Sequence, residues 1–208
     1  MPPLSDQARL QIINLFARAG ILPGVMVRTA QVLTVAGEDE SSVRASEDAD
    51  GNFRWVLTTE QPAKVWDWQQ GDFVDEVLLA DGMILPRQAP LLDSHSRFSV
   101  DDHIGSVSNF DLGKVGKYAA VFGQVRFAAD DKSQRTRQKV ADGHLTDGSV
   151  GYRVTKSIWI PEGTEAAVKG RMFKGPLKVS HESRLMEFSI TPIGADTLAK
   201  VRQFLASR

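Results

Sequence analysis

The chain has no cysteine. That excludes disulfide staples, zinc–thiolate centres and a cysteine nucleophile, and it suits a reducing compartment. It also has almost no excess charge: 25 Lys and Arg stand against 26 Asp and Glu, a formal net charge of −1. So even a balance offers no electrostatic footprint for nucleic acid or for an anionic membrane surface. No apolar run approaches the ~18 residues of a membrane-spanning helix. The opening Met1-Pro2-Pro3-Leu4-Ser5-Asp6 lacks the basic region of a secretory signal. Internal repeats and low-complexity tracts are missing too. Together these absences lead to the expectation of a soluble intracellular protein.

What is present is an ordinary globular balance over 208 residues, 42% of them hydrophobic and 25% charged. That is one domain of generous size, or one domain with an appended arm. Ser5 can cap a helix from Asp6 to about Ala19, with Leu10, Ile13 and Ala17 at helical spacing and Gly20 as its stop. Val25 to Val35 is rich enough in β-branched residues for a strand, and Gly37 to Ser42 is an acidic loop. That loop divides an arm, residues 1–37, from a core, residues 38–208. Val43 to Thr59 reads as a hairpin turning at Asp48–Asn52, whereas Lys64 to Trp68 is ambiguous.

Ala89 to His95 is an apolar step that ends in a histidine; Ile104–Val107 and Tyr118–Phe127 follow as strands. A polar helix starts at Asp130 or Asp131, runs through Val140 and stops at Gly143. Val150–Val154, Ser157–Ile160 and Leu177–Ser180 are further strands. In Arg184–Thr191, alternation places Met186, Phe188 and Ile190 on one face and Leu185, Glu187 and Ser189 on the other. A last helix begins at Asp196 or Thr197, with Leu198, Val201 and Leu205 as its stripe. Closely spaced strands without strict β–α alternation predict a mainly β (α+β) fold. The expected form is a closed or nearly closed antiparallel barrel of about seven strands with a few flanking helices.

The chemistry concentrates at three separated residues. Ser149 stands between Gly148 and Gly151, so its hydroxyl is uncrowded and the backbone can approach a partner closely. A serine needs a base, and the base needs an orienting acceptor. His95 has the titration range for the base, and Glu187 is the candidate acceptor. The backbone N–H groups of Val150 and Gly151, and the Arg153 side chain, are candidates for holding an oxyanion. The plain readings stay open beside these: a tight turn into an ordinary strand, an exposed strand carboxylate, a solvated arginine.

Each histidine also has a nearby acid: Asp93 for His95, Asp102 for His103, Asp142 for His144, Glu182 for His181. Such pairs allow a zinc or manganese hydrolase as a rival, although none has the H-x-x-x-H spacing of a helix face. His103 and His144 read best as loop histidines with no special role.

Pro90-Leu91-Leu92-Asp93-Ser94-His95, followed by Ile104-Gly105-Ser106-Val107, resembles the histidine block of tailed-bacteriophage prohead proteases. Those are capsid-maturation serine peptidases related in fold to the herpesvirus assemblins. Gly143 to Tyr152 resembles that family's serine block, and Leu185 to Asp196 its closing strand block. The three occur in the family's order over roughly Val43 to Asp196. The resemblance implies Ser149 as nucleophile, His95 as general base and Glu187 as third member. His181 is the rival third member, because the herpesvirus enzymes use a second histidine.

It also implies a helix-wrapped barrel that needs no metal or organic cofactor. Its substrates would be the phage scaffold and major capsid proteins, and the enzyme itself, inside the prohead in the bacterial host cytoplasm. Self-association would suit the amphipathic helices at both ends. A barrel that has lost activity and docks to scaffold or shell is the alternative. Residues 1–37 lie outside the blocks and would be a scaffold-pairing arm, a self-cleaved piece or a plain helix and strand.

Overall fold

The structure, a computed structural model, describes residues 5–18, 26–27, 47–194, 196 and 199. Among these residues the fold is mainly β with two α-helices. In chain order the elements are α1 (Asp6–Arg18), β1 (Met26–Val27), β2 (Phe53–Thr59), β3 (Ala63–Asp67), β4 (Asp72–Leu78), β5 (Met83–Ile84) and β6 (Gln88–Asp93). Then follow β7 (His103–Val115), β8 (Tyr118–Phe127), α2 (Asp131–Ala141), β9 (Gly148–Ile160), β10 (Glu165–Val168), β11 (Arg171–Lys174) and β12 (Leu177–Ile190).

The sheet is built around β12. Its 14 residues make a strand roughly 45 Å long at the usual rise per residue. One edge pairs antiparallel with β9 along its length, from Leu177↔Ile160 to Ile190↔Gly148. The other edge serves three partners in series, all parallel: β4 at Lys178–Ser180, β5 at Ser183–Arg184 and β6 at Phe188–Ile190. The main path runs β1-β9-β12-β6-β7-β8-β2. Among the described residues no sheet closes into a barrel, and β1 and β2 stand at the two ends of this path. β10 and β11 form a separate ribbon.

Sequence alternation divides two long strands that are in fact continuous. Val150–Val154 and Ser157–Ile160 both lie in β9, and Leu177–Ser180 and Arg184–Thr191 merge in β12 but for Thr191. The intervening residues are polar and carry no periodic signal. The ambiguous Lys64–Trp68 falls on β3, where Trp66 packs edge-on against Phe73 at 5.3 Å. The turn at Asp48 forms as expected, its carboxylate accepting from the N–H groups of Asp50 and Asn52. α2 is capped by Asp130, which accepts from the Ser133 N–H at 3.0 Å. Ser5 Oγ accepts from the Ala8 N–H to open α1, whose Leu10 and Ile13 are exposed. The expected strand to Val35, the Gly37–Ser42 loop, the start of the hairpin at Val43 and most of the last helix lie outside the described residues.

The core gathers Trp55, Leu91, Val107, Val125, Val150, Tyr152, Leu185, Phe188 and Ile190. Trp55 meets Phe188 edge-on at 5.7 Å. Leu185 belongs to this core, not Met186, which corrects the face assignment. A register shift between Leu185 and Glu187 interrupts the ladder. An extra residue in one strand lets positions three apart, here Leu185 and Phe188, point the same way. Glu187 and Ser189 keep the opposite face.

Beneath the far end of β12, Lys178 Nζ donates to Asp67 Oδ2 at 2.7 Å, both residues buried. Burial alone would raise the Asp67 carboxyl. The hydrogen bond and charge of Lys178, with the Gln69 and Gln70 amides, outweigh burial and hold it below the usual carboxylate range. Removing one partner strands a buried charge, whereas replacing both need not. Lys178→Ala should therefore cost about 3–5 kcal/mol, while Asp67→Leu combined with Lys178→Met should cost clearly less. Urea unfolding of the three proteins side by side checks this.

Candidate active site

β6 ends where its parallel pairing with β12 ends, at Asp93↔Ile190. The next two residues, Ser94 and His95, both take left-handed backbone, φ 52° and 61°. Such backbone costs energy for residues other than glycine and persists only where surrounding bonds over-determine it. Here the Ser94 N–H donates to the Ile190 carbonyl at 3.0 Å, and the His95 N–H donates to Ser189 Oγ at 3.0 Å. The chain beyond is tied by Asp102, which accepts from Ser96 Oγ and from the Phe98 and Ser99 amides. The turn thus swings the His95 ring back over β12.

There His95 Nδ1 lies 2.7 Å from Glu187 Oε1. Ser189 Oγ donates to Glu187 Oε2 at 2.7 Å, and Arg97 Nη2 lies 3.4 Å from Oε1. With Glu187 ionised, the hydrogen of this contact sits on Nδ1, so a neutral ring keeps its lone pair on Nε2. Among the described residues, Nε2 is buried with no hydrogen-bond partner. A proton acceptor is therefore oriented and left available.

Ser149 reaches this assembly through the β9–β12 ladder. It pairs with Ser189, and Gly151 pairs with Glu187. Directly opposed residues share a face with Cβ atoms roughly 4.5–5.5 Å apart. Ser149, Ser189, Glu187 and the His95 ring are thereby one neighbourhood. Gly151 is required for it: a Cβ there would lie 1.9 Å from Glu187 Oε1. Gly148 serves the core face, where a Cβ would lie 2.1 Å from the Phe188 ring. The two glycines flanking the serine thus make room for different neighbours on opposite faces of β9. Ser149, His95 and Glu187 are 4%, 5% and 1% exposed. The Gly148 N–H donates to the Ala199 carbonyl, which places Ala199 against the start of β9.

An open cleft of about 340 Å³ adjoins the Glu187 side of the pair, with Pro90, Leu92 and Met186 as apolar walls and Arg97 at its rim.

Other sequence candidates lie elsewhere. His181 is six residues from Glu187 along β12, roughly 20 Å of strand. It lines a different cleft with Asp81, Lys169 and Glu182. Glu187, not His181, is the residue on His95 Nδ1. Arg153 is exposed and stands opposite Arg184. Alternation along β9 sends the Val150 N–H to the edge used by Gly148, and the Gly151 N–H toward β12. Those two amides therefore do not converge on one oxyanion. His103 lies on the rim of the open cleft and His144 is an exposed loop residue. Among the described residues no three His, Asp or Glu side chains gather as a metal-ligand set.

Sequence reasoning missed Ser189 and Arg97. Ser189 carried a faint signal, since it shares the Glu187 face two residues on. Arg97 carried none, because its approach depends on the turn at Ser94 and His95.

Burial would raise the Glu187 carboxyl. The charge and hydrogen bond of His95, the Ser189 hydroxyl and the charge of Arg97 together outweigh it and hold the carboxyl below its ordinary value. A depressed carboxyl binds its proton less readily in the folded chain than in the unfolded one. It adds stability above the unfolded pKa of ~4.3, and that contribution is lost as pH falls through the lower folded value. Unfolding midpoints from pH 7 down to about 3 should fall less steeply in Glu187→Gln than in the parent. The chain matches no family model, no curated protein and no solved structure.

Proposed function

We propose that this chain is a serine endopeptidase of the prohead-protease kind, cutting scaffold and capsid proteins inside an immature phage shell. The observation that carries the reading is the buried His95–Glu187 pair. It leaves Nε2 without a hydrogen-bond partner among the described residues, while Ser149 stands on the strand paired with that of Glu187. The three sequence blocks that resemble prohead proteases supply these same three residues in the same order. On this reading the mainly β sheet around β12 corresponds to the sheet of that family's barrel.

In the reaction His95 Nε2 takes the Ser149 hydroxyl proton as Oγ attacks the scissile carbonyl. Glu187 holds the ring tautomer and stabilises the imidazolium that forms. The imidazolium then protonates the leaving amine, and water, activated by the same ring, releases the acyl group.

The burial of Ser149 and His95 favours a second reading, a barrel that docks to scaffold or shell without catalysis. Intact-mass time courses with a scaffold-protein substrate separate the two. The peptidase reading expects discrete fragments from the parent and at least a ~10³-fold loss in Ser149→Ala. Equal cleavage by both proteins removes Ser149 as nucleophile. Assembly that proceeds unchanged with Ser149→Ala, with no cleavage by the parent in assembled shells, favours the docking barrel.

A further inference from the structure

We propose that Ser189 is a positioning residue that sets the His95–Glu187 pair from both sides; this rests on the peptidase reading of the site. A serine hydroxyl has one hydrogen and two lone pairs. The Ser189 hydrogen goes to Glu187 Oε2 at 2.7 Å, and a lone pair accepts the His95 N–H at 3.0 Å. One side chain thus fixes the carboxylate and the backbone of the base together. With Oε2 pinned, the carboxylate presents Oε1 to Nδ1. With its N–H pinned, His95 is held in left-handed backbone it would otherwise leave.

The role is not a general property of small residues on β12. Ser183 lies on the same strand, is fully buried, and has a hydroxyl with no hydrogen-bond partner among the described residues. Nor does Ser189 compete as nucleophile. Its hydrogen is committed to Glu187, and it meets His95 at the backbone rather than at Nε2.

The test compares full-length parent, Ser189→Ala and Ser183→Ala, with histidine nitrogen labelled. The parent should show a far-downfield imidazole Nδ1–H proton resonance that Glu187→Gln abolishes. Ser189→Ala should shift or broaden that resonance, whereas Ser183→Ala should leave it in place. In scaffold cleavage, Ser189→Ala should lose kcat by on the order of a hundredfold with KM little changed.

If Ser189→Ala fails to fold, Ser189→Cys, of similar size but a weak donor, is read in the same way. A resonance and kcat in the Ser189 variant matching those of Ser183→Ala would overturn the inference. Should the parent prove to lack peptidase activity, that reading falls on its own. The resonance still decides whether Ser189 sets the pair.

Discussion

The site depends on one buried contact, His95 Nδ1 to Glu187 Oε1 at 2.7 Å. Burying a carboxylate is costly unless hydrogen bonds and opposite charge compensate. Glu187 receives His95, Ser189 and, at longer range, Arg97. Each of these depends on a separate piece of backbone. His95 needs the left-handed turn after β6. The carboxylate needs the empty space above Gly151. Ser189 needs the bulge at Met186, which sets Glu187 and Ser189 on the face opposite Leu185 and Phe188. A shift in any one of these would leave a charged group buried without its partners.

β12 is the element that lets these requirements meet. Its β9 edge carries Ser149 and Gly151; its other edge carries β6 and, at the end of β6, His95. The strand that carries Ser149 and the strand that leads into His95 are therefore neighbours of one central strand and not of each other. The core beneath is closely packed here, since Phe188 meets Trp55 edge-on and its ring fills the space over the bare Gly148. Further along, the same strand carries Lys178, which pairs with Asp67 of β3 at the end remote from Glu187.

Much of this was legible in the residues. Glycines on both sides of Ser149, an apolar step ending at His95 and an alternating strand through Glu187 each have a local signature. The mainly β class followed from strand spacing. Three things had no local signature. The bulge at Met186 changes which residues share a face, and its cause lies in pairing with β9. The serial parallel partners of β12 are long-range pairings that periodicity does not encode. The choice between Glu187 and His181 depends on how far apart strand positions lie, and roughly 20 Å of extended chain separates them. The Ser189 hydroxyl became meaningful only once the turn at Ser94 and His95 placed a backbone N–H above it.

The most direct measurement is covalent labelling by a fluorophosphonate, read by intact mass and peptide mapping, on the parent and on His95→Ala. An oriented base activating Ser149 should give one adduct on Ser149 in the parent, with labelling slowed by about a hundredfold or more when His95 is removed. Adduct formation at another residue, or equal labelling with and without His95, would contradict the site described above.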